Sequence, residues 1–290
     1  MPGVRDARLC VRKTAAAMLA LAASPAFAAQ IDPTDLDRAQ TFGAAQVVIL
    51  GELHDNPTHH TLQARAVATL APKALVFEML TPEAAAKMPA PLPAPLPDAA
   101  TLSAILDWDT SGWPDFGMYY PIFAAAPAAR IYGAEVPRSE ARRAMKQGPI
   151  ATFGPDAATY GLTTPLPPTD QAAREAEQAA AHCNALPPEL LPPMVDIQRL
   201  RDAALARAVV QAMADTGGPV AVITGNGHAR RDQGLTVPLA LAAPDVAVLS
   251  IGQFEQAAPT DPPYDLWLIT PAAPRDDPCL AFGGAASGGG

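Results

Sequence analysis

Six short apolar runs, most of them ending at a glycine or a glutamate, constrain the fold of this chain more than any other feature. The runs span residues 45–50, 74–77, 129–134, 220–224, 246–251 and 266–269. Continuous apolar runs of this length are typical of strands that are buried on both faces of a parallel sheet. Segments with helical patterns separate them, and the alternation of strands and helices indicates an α/β fold.

The helical segments lie between and beyond these strands. Residues 57–70 form the clearest helix, because Asn56 is a good N-cap and Pro57 suits the first helical position. No strand pattern occurs from 137 to 218. Four helices are predicted there, at 139–147, 155–160, 169–184 and 188–214. We therefore predict an α/β fold with a mainly parallel central sheet flanked by helices and a smaller inserted helical subdomain.

The predicted organisation has five parts. The α/β domain consists of residues 29–136 and 219–282, with the helical subdomain at 137–218 between them. The glycine-rich residues 283–290 are expected to be a disordered tail. Residues 1–28 have the pattern of a signal peptide cleaved after Ala28, with basic residues before an apolar run that is too short to span a bilayer. An uncleaved membrane anchor is the alternative. We expect an exported protein, periplasmic in a cell with two membranes.

Composition excludes several classes of protein. The chain is 49% hydrophobic and 17% charged, which argues against wholesale disorder. Its net charge is −9, and the leader holds four basic residues against one acidic residue, so the mature chain carries about −12. This acidity argues against a nucleic-acid partner. The mature chain offers no apolar segment long enough to be transmembrane.

Two cysteines remain after the predicted cleavage, Cys183 and Cys279. Paired thiols tend to form disulfides in the oxidising compartments that exported proteins reach. A disulfide between them is the favoured prediction. Two unpaired buried thiols, or a metal site that includes the neighbouring His182, are the alternatives.

The residues suited to chemistry follow the predicted strands. Glu52 and His54 follow the first strand, Glu78 the second and His228 the fourth. Ligands bind beyond the carboxyl ends of strands in open parallel sheets, so these four side chains are expected to converge in one pocket. Histidines with carboxylates suit general acid–base catalysis or a transition metal such as iron. Each of the four could instead be a structural loop residue.

Other polar residues near the predicted strand ends support less specific predictions. His59 and His60 lie in the first turn of a predicted helix, where the helix dipole favours neutral imidazole, although both could simply be exposed there. Arg138 and Asn226 also follow predicted strands and are candidate ligand-binding residues. Arg201 and Asp202 lie in a strongly helical stretch, where we expect them to form a buried or partly buried ion pair across the contact between the helix and the sheet.

Several motifs together resemble the ChaN-like haem-binding uptake proteins, a family of the superfamily that includes the Tiki/TraB proteins and the erythromycin esterases. The motifs are Gly51-Glu52-x-His54-Asp55-Asn56-Pro57-x-His59-His60, Phe77-Glu78, Trp113-Pro114 with Tyr120-Pro121, Pro137-Arg138, His182-Cys183, Gln198 with Arg201-Asp202, Gly225-Asn226-Gly227-His228-Ala229-Arg230 and Ser250-Ile251-Gly252. They extend over essentially the whole mature chain. The resemblance implies a parallel sheet with helices and a smaller helical lobe.

The resemblance also implies haem or iron binding in uptake, with a tyrosine as the haem ligand at a contact between two copies of the chain. It is therefore compatible with a homodimer. Among the five tyrosines, Tyr160 in the helical lobe is our candidate. Leu190, Leu191, Met194 and Ile197 could supply an apolar face for the macrocycle or pack in the core. The alternative function is a metal-dependent hydrolase that uses Glu52, His54, Glu78 and His228.

Overall fold

The computed structural model of the protein describes residues 28–277 together with Cys279 and Leu280. The predicted signal peptide, apart from Ala28, lies outside the described residues, and so does the predicted tail at 283–290. Among the residues that the structure describes, no helix is both long and apolar enough to cross a membrane.

The central layer of the described chain is a single parallel sheet. Its strands are β1 (Ala29–Gln30), β2 (Val47–Glu52), β3 (Ala74–Phe77), β4 (Arg130–Gly133), β5 (Val220–Gly225), β6 (Val248–Glu255) and β7 (Leu266–Thr270). Their order is β1-β7-β6-β2-β5-β3-β4, and every neighbouring pair is parallel. The six predicted strands are confirmed. The sequence pattern missed the two-residue β1 and the extension of β6 to Glu255.

Helices form the remaining regular structure. They are α1 (Pro57–Leu70), α2 (Pro82–Ala85), α3 (Ala99–Ile105), α4 (Phe116–Ala125), α5 (Arg138–Gln147), α6 (Pro149–Phe153), α7 (Pro168–Ala181), α8 (Leu191–Thr216), α9 (Asn226–Ala229) and α10 (Thr236–Ala242). Short 3₁₀ turns occupy Pro33–Asp37, Ala39–Thr41, Trp108–Thr110, Pro155–Ala158 and Pro188–Leu190. Helix α1 begins as predicted, because the Asn56 side chain accepts a hydrogen bond from the Thr58 backbone N–H.

The sheet is buried on both faces, as its apolar runs predicted. Val48 and Leu50 of β2 face one core cluster, to which α1, α3 and α4 contribute. Val47 and Ile49 face the other cluster, to which α5, α8 and α10 contribute. Successive residues of a strand point to opposite faces, so a continuous apolar run fills both cores.

The segment between β4 and β5 contains α5 to α8 and, throughout its described residues, no strand. Its last helix, α8, is 26 residues long and packs against β3, β4 and β5. Ile197 belongs to the core cluster on this face, and the partly buried Met194 packs against that cluster rather than forming an open apolar surface. Part of the segment therefore forms a layer over the sheet, and α8 extends to the sheet's carboxyl edge.

Candidate functional site at the carboxyl edge of the sheet

Three adjacent strands supply the polar residues of the site. In the sheet β5 lies between β2 and β3, and Glu52 at the end of β2 pairs in register with Gly225 at the end of β5. Glu78 follows the last residue of β3 directly. The two glutamates therefore flank Gly225 at the same edge, where parallel sheets place their ligand sites.

Glu52 is fully buried and holds three side chains. Its Oε1 accepts a hydrogen bond from Nδ1 of His54 at 2.7 Å and another from the Tyr119 hydroxyl at 2.8 Å. Its Oε2 lies 3.3 Å from Nδ1 of His60. Burial alone would raise the pKa of Glu52, but the imidazoles of His54 and His60 lower it to about 2. The carboxylate is therefore ionised at neutral pH.

The imidazole of His54 forms an ion pair with the Glu52 carboxylate. Burial disfavours its charged form, but the hydrogen bond to Glu52 and the charge of Glu78 raise the pKa of His54 to about 9. Its Nε2 lies 3.9 Å from Oε2 of Glu78. His54 is therefore an imidazolium at neutral pH, with one nitrogen fixed and the other facing a second carboxylate.

A second histidine–carboxylate pair lies on the other side of Glu78. Nδ1 of His228 donates to Oδ1 of Asp202 at 2.7 Å, and Nε2 of His228 lies 3.5 Å from Oε1 of Glu78. The carboxylates of Glu78 and Asp202 raise the pKa of His228 despite its burial. Asp202 therefore pairs with His228, and the expected pairing of Asp202 with Arg201 is wrong. The two residues are adjacent on α8, so their side chains point in different directions around the helix.

Glu78 joins the two pairs. Its Oε2 accepts hydrogen bonds from the Thr224 hydroxyl at 2.6 Å and from the Gly225 N–H at 2.8 Å. These donors, together with the charges of His228 and His54, keep the pKa of Glu78 below its ordinary value although burial would raise it. The result is a chain of alternating acids and bases from Asp202 to Glu52. Its outer links are hydrogen bonds of 2.7 Å, whereas the 3.5 and 3.9 Å distances on either side of Glu78 are those of ion pairs.

The expectation that Glu52, His54, Glu78 and His228 ligate a metal is not supported. The described residues contain no group of three or more histidines, cysteines or acidic residues that could hold a metal ion. His54, with a pKa of about 9, carries a proton at neutral pH, and an imidazolium has no lone pair to offer a metal.

The four predicted residues nevertheless line one cavity, of about 690 Å³. Trp113 lies at one side, with its ring centroid 4.9 Å from that of His54. Helix α7 forms another wall, and α8 contributes Arg201 and Asp202. Arg230 is held at the mouth by ion pairs with Asp232 and Glu177.

The two candidate ligand-binding residues at neighbouring strand ends have other surroundings. Asn226 lines the cavity, but its amide donates to the Gln253 carbonyl at 2.6 Å and its Oδ1 accepts from the Gln253 N–H at 3.1 Å. This side chain therefore joins the ends of β5 and β6. Arg138 lines a neighbouring cavity of about 180 Å³, which Glu78, Trp113 and Arg201 also line.

Tyr160 lies away from the histidines, in a separate groove of about 280 Å³. Most of the groove's lining is apolar, with Leu162, Pro165, Leu166, Pro167, Val237 and Leu241 among its residues. Leu241 is 59% exposed, so the groove opens to solvent. Arg174, Asp202 and Gln233 line both this groove and the larger cavity, which places the two side by side.

Family membership follows from the comparison with known proteins. The sequence model of the family described as haem-binding uptake, Tiki superfamily, ChaN matches residues 38–239, more than two thirds of the chain. The chain belongs to this family. No curated protein matches it.

Solved structures resemble the chain at low sequence identity. ChaN of Campylobacter jejuni, described with cofacial haem binding, has 18% identity and a TM-score of 0.57, over 79% of this chain and 89% of that chain. The type III effector HopBA1 has 12% identity and a TM-score of 0.44 over 83% and 94%. A succinoglycan biosynthesis protein has 13% identity and a TM-score of 0.40 over 77% and 71%. The likeness to ChaN confirms the α/β fold with its parallel sheet.

His59 and His60 are both buried, so the alternative that they are exposed is wrong. His59 accepts from the Leu53 N–H on Nδ1 and contacts the Thr270 hydroxyl through Nε2. Burial lowers the pKa of His59 to about 4, which makes it neutral. His60 donates from Nε2 to the His54 carbonyl and packs against Tyr119. Both residues fix the strand-to-helix turn that carries His54.

Two residues of the site, Tyr119 and Asp202, were not predicted from the sequence as site residues. Tyr119 packs in the core, and its hydroxyl donates a hydrogen bond to Glu52. Asp202 orients His228 across 26 positions of sequence. The Arg201-Asp202 motif of the family resemblance was the available signal for Asp202, whereas no local pattern marks Tyr119.

The contact between Trp113 and His54 makes the protonation of this histidine measurable. A protonated imidazole quenches an adjacent indole, so Trp113 emission should rise as pH increases through about 9, where His54 loses its proton. Fluorescence titration of the wild type against Trp113→Phe isolates this signal from that of Trp108 and Trp267. His54→Gln should abolish the rise. A rise centred near the ordinary pKa of 6.5 would contradict the assigned pair.

Proposed function

We propose that the protein binds haem in the apolar groove, with the Tyr160 hydroxyl oxygen as the iron ligand. Membership of a haem-binding uptake family supports haem as the ligand. The described chain offers one tyrosine that suits the role, and the reasons are its free hydroxyl and its apolar surroundings.

The hydroxyl groups of the five tyrosines are the observation on which the proposal rests. Four of them donate hydrogen bonds to the protein. Tyr119 donates to Glu52, Tyr120 to the Pro97 carbonyl, Tyr132 to Asp215 and Tyr264 to the Asn226 carbonyl. The Tyr160 hydroxyl makes no hydrogen bond within the described residues, although its ring is buried beside Phe153. A ligand oxygen must be free in this way.

The groove suits an apolar macrocycle with charged edges. Its apolar lining would contact a ring face, and the half-buried Arg174 lies where a propionate could pair with it. Burial raises the pKa of Tyr160, so tyrosinate forms only where a cation such as ferric iron replaces the proton. A groove of this size covers one ring face, and a second copy of the chain would cover the other. Size-exclusion chromatography with and without haem tests that homodimer.

The place of action that we propose is outside the cytoplasm, in haem or iron uptake. The disulfide between Cys183 and Cys279 supports it, because such bonds persist in oxidising compartments. The signal-peptide pattern of residues 1–28 supports it as well.

Tyr160→Phe tests the haem site. Loss of the ligand oxygen should weaken haem binding at least about tenfold, which is about 1.4 kcal/mol, and shift the Soret band. The measurement is an absorbance titration of the mature chain with ferric haem. Tyr132→Phe is the matched control, because its hydroxyl bonds to Asp215 elsewhere on the surface, and it should titrate like the wild type.

Two outcomes would contradict this assignment. If His54→Ala shifts the Soret band and Tyr160→Phe does not, iron binds at the strand ends and the tyrosine is not the ligand. If the wild type gives no Soret change in excess haem, the protein does not bind haem. The comparisons do not favour the alternative of a metal-dependent hydrolase, and the described residues contain no group suited to its metal.

A further inference from the structure

We propose that the strand-end cavity is a binding site for a carboxylate-bearing ligand, held by Arg174 of α7 and Arg201 of α8. This site is distinct from the proposed iron ligand. The argument depends on the charges that line the cavity and on which of them already have partners.

Arg174 and Arg201 are both half-buried at the cavity wall. Neither guanidinium makes a hydrogen bond or an ion pair within the described residues, whereas Arg230 of the same cavity is held by two carboxylates. Removing a guanidinium from water without a partner is unfavourable. A ligand anion would supply the missing partner.

The carboxylates around the cavity are already engaged. Glu52 and Asp202 each accept from a histidine, and Glu78 accepts from Thr224 and Gly225 between the two imidazoles. Asp55 is held by Arg275, and Glu177 by Arg230 and Gln233. None of them is left to neutralise the two arginines at contact distance.

The buried cluster beside the two arginines contains carboxylates and imidazoles in nearly equal number. The buried cluster holds the carboxylates of Glu52, Glu78 and Asp202 against the imidazoles of His54 and His228, both with raised pKa values. The guanidinium groups of Arg174 and Arg201 add two positive charges that have no contact partner, and an anion in the cavity would supply one.

The shape of the donors and of the wall specifies the ligand further. A guanidinium presents parallel N–H groups that match the two oxygens of a carboxylate. Trp113 and Val195 add apolar surface to the same cavity. A carboxylate on a short apolar body fits this combination.

Two sources could supply that carboxylate. The propionates of a haem in the adjacent groove are one, because Arg174, Asp202 and Gln233 line both spaces. A separate small organic acid is the other. In the first case this inference rests on the proposed function, and in the second it stands apart from it.

The test uses succinate as the small probe. The mature chain is titrated with sodium succinate at constant ionic strength and followed by calorimetry and by Trp113 emission. We expect saturable binding that Arg174→Gln or Arg201→Gln each weakens at least tenfold. Arg201→Lys should give an intermediate loss, because it keeps the charge and loses the fork. Arg142→Gln, at an exposed position of α5, is the control and should bind like the wild type.

A second arm titrates haem and its propionate dimethyl ester into the same variants. If the propionates use the site, esterification and Arg201→Gln should each weaken haem binding, and succinate should compete with haem. If a separate acid uses it, succinate should bind and leave haem affinity unchanged. Circular dichroism confirms that each variant is folded. Absence of saturable succinate binding, together with equal affinity for haem and its ester, would overturn the proposal whether or not haem binds.

Discussion

Glu52→Ala should lower the free energy of unfolding by about 3 to 5 kcal/mol, the typical cost of removing one partner from a buried ion pair. The carboxylate is fully buried and accepts from Tyr119 and His54. Its loss leaves a hydroxyl and an imidazole without an acceptor, and His60 without the oxygen that it faces. Urea denaturation of the wild type and the variant at pH 6 measures the difference.

The pH dependence of this effect follows from the two pKa values. Glu52 has a pKa of about 2, below its ordinary 4.5, so its contribution is present above about 4.5 and is lost as pH falls toward 2. His54 has a pKa of about 9, above its ordinary 6.5, so its contribution is present below about 6.5 and is lost as pH rises through 9. The stability difference between the wild type and Glu52→Ala should therefore be largest between about pH 4.5 and 6.5.

Two control variants bracket the expected loss. Glu52→Gln keeps an acceptor oxygen for Tyr119 and the shape of the side chain, so it should lose less stability than Glu52→Ala. Glu140→Ala removes an exposed carboxylate of α5, whose ion pair with Arg143 should be worth at most about 1 kcal/mol. If Glu52→Ala costs no more than Glu140→Ala, the buried pair does not stabilise the fold.

The sheet was predictable because its strands are buried on both faces. A run such as Val47 to Leu50 must be continuously apolar when alternate residues fill two cores. Helix α1 was predictable from its cap. Helix α4 was not, because it contains Gly117 and Pro121, both poor helix formers, and forms where its aromatic residues pack against the core.

For the histidine–carboxylate cluster, the sequence predicted only its location at the carboxyl edge of the sheet. Parallel strands bring their carboxyl ends together, and this alone placed Glu52, Glu78 and His228 in one cavity. Partner choice was not predictable, because it depends on side-chain directions from helices far apart in sequence. For this reason the sequence did not show that Asp202 bonds to His228 rather than to Arg201. Tyr160 was a prediction from family resemblance, and its role as ligand stays a prediction.

Removing the disulfide should have an effect of similar size, by a different physical route. Cys183 and Cys279 are bonded, as predicted, and close a loop with a sequence separation of 96. In the chain-entropy model, a cross-link over a loop of this length stabilises by about 4 to 5 kcal/mol, because it restricts the unfolded chain. The double variant Cys183→Ser/Cys279→Ser should lose this amount in urea denaturation. Thiol titration of the denatured, unreduced mature chain should find no free thiol.

Removing the disulfide should also destabilise some parts of the molecule more than others. Helix α7 ends two residues before Cys183 and has no buried residue, so few apolar contacts hold it. It should therefore lose more hydrogen-exchange protection than α1, whose buried residues include Leu62 and Val67. Because α7 also contributes Arg174 to the cavity wall, succinate binding should weaken along with it. A reductant should reproduce both effects in the wild type and add nothing in the double variant. Uniform loss of protection would mean that the bond acts only through the unfolded chain.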